Sequence, residues 1–566
     1  MEHRTLLLRI VCCVTALTLA ACSQIPVSGP VEEVSMERQD RGVQIAPEPP
    51  QKGMSASRVV EGFLQAVADP KGGYSLARQY LSVEAKENWN PEAGALVYEG
   101  LVEEENGAFV LQGTTKGSID AAGRFTIGEE KISHDFALVE EDGEWRISAP
   151  PSGVPLSSYI FARSYSAVRS YFVSNETQAV LPDLLHVPKS ELTPARIVRA
   201  QLAGPSADLS PIVHSAIPTS VTLGAGGATL DSVGTVTVDL DGLPTNLGDE
   251  ARRELGAQLL WSLSSIQRVT GLKITSGGKP YVLPGQNEQQ ILELSSQQGY
   301  QPLSRASASD LSGVSDQLPG RLSTEDVFVA DAGELKPVDM TATSLDGSLT
   351  AFVAGDPAVV RVGPTRGSLV SVETALSRAS GAQFAQNRLW LIGYNANGEQ
   401  QMLVVSSQGV VTPIDATALP GEIVDFSVDA SGTRVAAIIK GQDGTHCGTA
   451  VLMQGHTLSG WHEVDLSPAR GVKLSDYVAL DWTGELALAL VARGAGGPSV
   501  FVTRIDGSEV DDLGPISNSP VQVTALPRPG GDAIATRAAD GTVLLYQPGS
   551  TWRNAKTMMS WISYPG

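Results

Sequence analysis

The chain has 566 residues, room for three or four domains at roughly 150 residues each. Asp and Glu number 62 against 40 Lys and Arg, a formal net charge of −22; this excludes nucleic acid, whose phosphates need a basic surface, and adsorption to an anionic bilayer through basic residues. Apolar residues, at 42%, supply sizeable cores and argue against wholesale disorder, while Gly, Ser, Thr and Val crowd the C-terminal half and point to β-structure with many turns.

The chain opens MEHRTLLLRI VCCVTALTLA ACSQ. Arg4 and Arg9 form a short basic region, and Ile10–Ala21 is an apolar run of 12 residues. A membrane-spanning helix needs about 20 residues, so the run fits the core of a signal peptide instead. It ends Leu19-Ala20-Ala21-Cys22, which resembles a bacterial lipobox. The resemblance implies cleavage between Ala21 and Cys22, a diacylglyceryl thioether on the Cys22 thiol and N-acylation of the same residue. Two or more acyl chains anchor a protein stably, where one does not. The expected location is the cell membrane, lipid-anchored, on its extracytoplasmic face. Cys12 and Cys13 leave with residues 1–21 and Cys22 is capped, so only Cys447 stays a free thiol and no intrachain disulfide is expected.

Residues 22–53 carry Pro26, Pro30, Pro47, Pro49 and Pro50 with little apolar periodicity. They read as an extended tether, roughly 30 Å long as a flexible coil. In residues 54–153, Val59, Val60, Phe63, Leu64 and Val67 fall at helical spacing behind Ser55 or Ser57 as N-cap. A second short helix is predicted over Ser75–Leu81, then strands at Ala108–Gln112, Phe125–Glu129, Phe136–Glu140 and Trp145–Ser148, with Asp142-Gly143 as a hairpin turn. Helices followed by a curled antiparallel sheet suit a cone-shaped fold like that of nuclear transport factor 2. The acidic runs Glu103–Glu105 and Glu140–Asp142 read as solvated turns rather than a metal or catalytic cluster.

Residues 154–290 form the best-defined unit. Arg169–Val173 and Gln178–Leu184 read as a hairpin. Thr193 caps a helix that has Pro194 at its first position, Ile197, Val198 and Leu202 on its buried stripe, and Gly204-Pro205 at its end. Val236, Val238 and Leu240 alternate along a strand. Asp249 and Glu250 open a second helix whose core stripe is Leu255, Leu259, Leu263 and Ile266, and a strand at Leu272–Ile274 closes the unit. The string IVRAQLAGPS…SAIPTSVTL…GTVTVDLDG…QLLWSL…GLKI resembles the GerMN domain of spore-germination and lipoprotein families, through Leu202, Gly204, Pro205, Ile217, Pro218, Val238, Asp239, Leu240, Gln258 and Leu259.

Residues 300–566 carry a loose repeat. Turns follow apolar strands at Asp346-Gly347, Gln386-Asn387, Ser431-Gly432, Thr483-Gly484 and Gly530-Gly531, and an apolar strand follows each turn. Further hairpin signals stand at Asn397-Gly398, Asp443-Gly444, Asp506-Gly507 and Asp540-Gly541. A period of roughly 40–50 residues made of short strands predicts a β-propeller of five to seven blades rather than a pair of β-sandwiches. The expected architecture is multidomain: a signal peptide (1–21), a Pro-rich tether (22–53), an α+β N-terminal domain (54–153), an α+β GerMN-like domain (154–290) and an all-β propeller-like domain (300–566).

That order, together with ARQYLSVEAKENWNP over Ala77–Pro91, resembles the LpqB lipoproteins of actinobacteria essentially end to end. The resemblance implies a membrane-anchored accessory of the MtrA–MtrB two-component system, whose partner is the extracytoplasmic domain of a sensor histidine kinase like MtrB. The alternative is a lipoprotein that binds cell-wall glycan, with Trp390, Trp461, Trp482, Trp552 and Trp561 as candidate sugar platforms, although most read as blade core.

No catalytic constellation is found, so an enzyme is not expected, nor a cofactor. There is no His-Glu-x-x-His and no Gly-x-Ser-x-Gly. Thr275–Pro280 (TSGGKP) imitates the end of a phosphate loop but has Lys273 where the earlier glycine belongs and Pro280 in place of Ser or Thr, so it reads as a hairpin turn. His446-Cys447 sets a base beside a nucleophile, but neighbours on a strand point to opposite faces. With one free thiol and scattered histidines (His134, His186, His214, His446, His456, His462) no zinc site is expected. Asp239-x-Asp241-Gly242 lacks the closing bidentate Glu of a calcium loop, so no metal is expected there either.

Overall fold

The computed structural model describes residues 47–566 except 298, 301–310, 332–336, 465, 467–473, 495–496, 517–518, 529–530 and 548–551. The leader, Ala21, Cys22 and the tether as far as residue 46 lie outside the described residues.

Helix α1 (Ala56–Ala66) starts after Ser55 and buries Val59, Val60, Phe63 and Leu64, as their spacing predicts. Phe63 meets Trp89 edge-on at 5.5 Å and Phe136 at 6.3 Å. The Trp89 indole N–H is satisfied in this core by the Pro151 and Gly153 carbonyls. The single helix expected over Ser75–Leu81 is instead α2 (Lys71–Tyr74) and a 3-10 turn (Ala77–Tyr80). Gly72 and Gly73 adopt φ of 61° and 65°, which breaks a regular helix. Helix α3 (Val83–Asn88), not anticipated, begins where Ser82 Oγ accepts the Ala85 N–H.

The larger correction concerns Glu103–Glu105. They do not form a turn but end the 11-residue strand β1 (Ala95–Glu105), which pairs along its whole length with β2 (Ala108–Ile119). The turn is Asn106-Gly107, with φ of 53° and 84°, the two-residue geometry that matches strand twist. The Glu140 run does close a strand, β5 (Leu138–Glu141), with Asp142-Gly143 turning into β6 (Glu144–Ile147). The main sheet runs β3 (Phe125–Ile127), β2, β1, β7 (Val154–Ser157), with β4 (Lys131–Asp135) also on β2.

In the middle domain, helix α5 (Pro194–Leu202) starts as predicted, with Thr193 Oγ1 accepting the Arg196 N–H at 3.3 Å. Helix α4 (Ser158–Ser164) precedes it, and α6 (Asp249–Leu263) buries Leu255, Leu259 and Leu263 fully, with Ile266 just past its end. Helices α5 and α6 pack on the sheet β11 (Thr222–Leu230), β12 (Thr235–Asp241), β13 (Gly271–Ser276), β14 (Lys279–Tyr281). Gly277 and Gly278 form the β13–β14 turn, so TSGGKP is a hairpin. Asp239 is buried in holding that turn: it accepts Thr275 Oγ1 at 2.6 Å, Gly278 N–H at 3.0 Å and Gly226 N–H at 3.1 Å.

A second sheet is built on the hairpin of β8 (Tyr165–Ser174) and β9 (Val180–Pro188), flanked by β10 (Val213–His214). Strand β10 covers β8 only at Val173 and Ser174, so the earlier part of that β8 edge needs other partners. The helices supply them. Ser262 Oγ accepts the Tyr171 N–H at 2.8 Å, Gln201 Nε2 donates to the Tyr171 carbonyl at 3.2 Å, and Ser265 Oγ donates to the Arg169 carbonyl at 2.7 Å. Gln258 Nε2 donates to Gln201 Oε1 at 2.6 Å, and its Oε1 accepts the Ala216 N–H at 2.7 Å. Gln201, Gln258 and Ser262 are completely buried.

The C-terminal domain is a six-bladed propeller of four-stranded antiparallel sheets. Blades two to six span Met340–Val372, Arg378–Ile414, Glu422–Glu463, Ser475–Pro515 and Pro520–Asn554. The first combines β16 (Ser312–Ser315), β17 (Leu318–Leu322) and β18 (Phe328–Ala330) with the last strand of the chain, β39 (Trp561–Ser563). Thr483-Gly484, expected as a turn, still belongs to strand β31 (Ser475–Gly484), and the chain reverses at Glu485 and Leu486. Gly530 lies outside the described residues. Trp390 and Trp482 are fully buried blade core.

Each innermost strand has a sheet neighbour on one side only, and in the fourth and first blades glutamines of the adjoining blade pair the other edge. Gln383 bonds both N–H and C=O of Val428, Gln400 does so to Ile423, and Gln522 to Ile562. Each primary amide thus stands in for a missing strand.

Replacing Gln258 by Leu keeps the volume but leaves the Ala216 N–H and the Gln201 Oε1 acceptor without their partner. We expect a loss of about 3 kcal/mol, read as a lower urea midpoint in the middle domain by hydrogen exchange. An unchanged midpoint would show that the helices do not depend on this network.

Candidate interaction site

Strand β9 reads Val-Leu-Pro-Asp-Leu-Leu-His-Val-Pro and is buried along its whole length. Two ionisable residues in such a run require partners. Asp183 Oδ2 accepts Arg124 Nε from the N-terminal domain at 3.3 Å and the Ser206 N–H at 2.8 Å. Arg124 also donates to the Gly204 carbonyl. The His186 N–H donates to the Gly123 carbonyl, and its ring lies 5.7 Å from Phe125 and 5.3 Å from Phe161. On its other side His186 Nε2 meets Asp506 Oδ2 of the propeller at 2.7 Å. One side chain therefore touches all three domains.

Further contacts hold the propeller to the hairpin. Arg434 donates to the Pro182 carbonyl, and Glu485 Oε2 receives Arg169 Nε at 3.1 Å and the Tyr171 hydroxyl at 3.0 Å. Phe172, Leu181, Leu209, Ile212 and Val213 form an apolar cluster with Val451 of the fourth blade. Burial holds Arg434 below the usual guanidinium range, and Asp429, Asp183, Glu485 and Asp208 pull it back. Burial alone would raise Asp506, but His186 and Ser508 outweigh it and keep its carboxyl below the usual range.

Arg434 follows the turn between β27 (Glu422–Val428) and β28 (Arg434–Lys440), Glu485 lies in the turn after β31, and Asp506 in the turn between β33 (Gly497–Arg504) and β34 (Val510–Pro515). First-to-second and third-to-fourth turns share one face of a propeller, so the hairpin docks on that face over blades four and five. The opposite face carries the second-to-third turns, among them Asp356-Pro357 and Asp443-Gly444. There the innermost strands are bulged at Ser380, Val424 and Val521, with Val424 and Val521 exposed. Bulges of this kind re-aim side chains at functional rims.

The residues singled out from sequence separate as strand geometry dictates. Cys447 is completely buried beside Ile438 and Trp482, and burial raises its thiol pKa, so it is no nucleophile. His446 points outward between Glu463 and Asp443, each at 2.8 Å, and these bonds raise its pKa. The Trp482, Trp552 and Trp561 indole N–H groups are spent on the Ser427, Leu513 and Thr341 carbonyls. Asp241 is exposed at the end of β12. Among the described residues no group of three or more His, Cys, Asp or Glu is arranged to hold a metal. Sequence reasoning missed Asp183, Arg434 and Glu485, weighed His186 only as one of the scattered histidines, and took Asp506 only for a turn residue. The available signal was the pair of ionisable groups inside the apolar run of β9.

Two outcomes follow from this geometry. Arg434→Met leaves the Pro182 carbonyl and Asp429 without their cation; we expect a loss of about 3 kcal/mol, with the propeller melting separately from the other domains in calorimetry. A single unchanged transition would show that Arg434 does not couple them. Asp425, on an innermost strand, has its carboxyl pushed up to about 7 by burial and then by Asp481, against the Leu480 and Phe426 N–H groups. The folded state binds this proton more tightly than the unfolded one, so stability falls as pH rises from the ordinary carboxylate range to about 7. Asp425→Asn should raise the melting temperature at pH about 8 and leave it unchanged near pH 4; an equal effect at both would contradict the assignment.

Three family models cover most of the chain. Residues 49–162 match the N-terminal domain of lipoprotein LpqB, 169–282 a domain described as sporulation and spore germination, and 324–565 the LpqB beta-propeller domain. A "Lipoprotein LpqB" of Cutibacterium acnes is 26% identical over 96% of this chain and 97% of its own. One from Streptomyces coelicolor is 25% identical over 90% of this chain and 89% of its own. Among solved structures, the first GerMN domain of the sporulation protein GerM from Bacillus subtilis is similar at 19% identity, covering 21% of this chain and 89% of that one with a TM-score of 0.18. These matches indicate no enzymatic family. Membership implies an envelope lipoprotein, and among the described residues no helix is long and apolar enough to cross a membrane. With its N-terminal, GerMN and propeller domains in this order, the chain belongs to the LpqB lipoprotein family.

Proposed function

We propose that the protein is a non-enzymatic accessory of a two-component sensor kinase like MtrB, anchored through Cys22 to the extracytoplasmic face of the cell membrane. The observation that carries this reading is the docking of three domains through one hairpin, with Val424 and Val521 exposed on the opposite propeller face. Such a body presents a fixed surface rather than a reaction centre. A protein that binds one state of a receptor ectodomain better than another shifts the receptor equilibrium by that difference in affinity. The strongly negative charge calls for a basic patch on the partner and for association that slows with salt.

The test is crosslinking in cells with a photoreactive residue at Val424 or Val521, followed by mass spectrometry, with Cys22→Ala as the anchoring control. Recovery of a sensor-kinase ectodomain, weakened by Cys22→Ala, is the expected outcome. Recovery of wall polymers or wall enzymes without a kinase would overturn it in favour of the glycan-binding reading. Association with the purified ectodomain should slow by about tenfold or more between low and high salt.

A further inference from the structure

Strand β1 is the one long strand of the N-terminal domain with half of one edge uncovered. Its inner edge pairs with β2 from Ala95 to Glu105. Its outer edge pairs with β7 only over Ala95–Tyr98. Among the described residues no strand pairs the outer edge of Glu99–Glu105. These seven residues span roughly 23 Å, and alternate ones direct N–H and C=O outward. All are exposed except Val102, with Leu101 at 73%. Gly100 and Gly113 face each other across the ladder, and a Cβ on either would come within 2.3 Å of a backbone oxygen. The close crossing is therefore built into this arm.

An open edge is a template for a further strand. Its charge selects the occupant. The stretch holds Glu99, Glu103, Glu104 and Glu105, and among the described residues Lys116 pairs with Glu99 alone, at 3.0 Å. A second copy of the chain would set glutamate against glutamate, which opposes pairing. The chain's own tether is excluded on the same ground, since residues 22–46 carry Glu32, Glu33, Glu37 and Asp40 against Arg38 and Arg41.

We propose that the outer edge of Glu99–Glu105 is a docking site for an extended basic segment of a partner protein, one with Lys or Arg at alternate positions, which adds as a strand. This goes beyond the kinase reading and stands independently of it.

The probe is a synthetic peptide alternating Lys with Val and Thr, titrated into the full mature chain, with amide hydrogen exchange read along β1. The comparison peptide has the same charge but is N-methylated at alternate residues, so it keeps the electrostatics and loses the backbone donors. We expect the first peptide to slow exchange within Glu99–Glu105 and the second to bind about tenfold more weakly. The triple variant Glu103→Lys, Glu104→Lys, Glu105→Lys changes exposed side chains only and should lose about tenfold in affinity. Equal binding of the two peptides would mean charge attraction alone and would overturn the proposal. So would protection elsewhere than β1, or no binding of either peptide. Because the two peptides are compared on the unaltered protein, the outcome does not depend on how the variant folds.

Discussion

Every buried backbone N–H and C=O must find a partner, and the architecture follows from where that requirement is hard to meet. Strand β8 leaves the short β10 at Ser174 and Val173 and would otherwise face the interior unpaired. Ser262, Ser265 and Gln201 close the gap and so fix the two helices to the hairpin. Once β8 is held, β9 is held, and β9 carries the bonds to both other domains. The link between domains is thus a consequence of completing one strand edge.

The propeller meets the same requirement by another route. Its innermost strands have no further strand toward the axis, and in two blades glutamines from the adjoining blade take the place of one. Gln383, Gln400 and Gln522 each use both ends of a primary amide on a single residue. A side-chain amide matches a peptide unit in donor, acceptor and spacing, which neither a carboxylate nor a hydroxyl does. Asp481 takes a different part: it accepts Ser427 from one neighbouring blade and Thr524 and Ala525 from the other, and so ties three blades together.

What was legible in the sequence was local. The Thr193–Pro194 start, the leucine stripe of α6 and the alternation of Val236, Val238 and Leu240 each encode an element within one stretch of chain. The recurring turns located the blades because each blade is a meander of neighbours. Strand β1 was overlooked because three glutamates end it, and charge there reflects an exposed edge rather than a loop; Asn106-Gly107 was the signal that marked the true turn. The site at the junction was illegible for a different reason. His186 and Asp506 stand 320 residues apart, and nothing in either neighbourhood announces the other. The number of blades was likewise hidden, since the first sheet is completed from the far end of the domain.

That completion bears on how the protein is made. An exported chain emerges N-terminus first, and domains generally fold as units in that order. The N-terminal and middle domains, whose partners lie close in sequence, are free to form while the rest is still crossing. The ring is not: β16 waits for Trp561, Ile562 and Ser563. Until those residues arrive the propeller is an open arc with two unpaired ends, joined in sequence to domains that can already be folded. The docking face over blades four and five is complete before the ring is, so the hairpin offers a template on which the arc can settle while its last strand is still on its way.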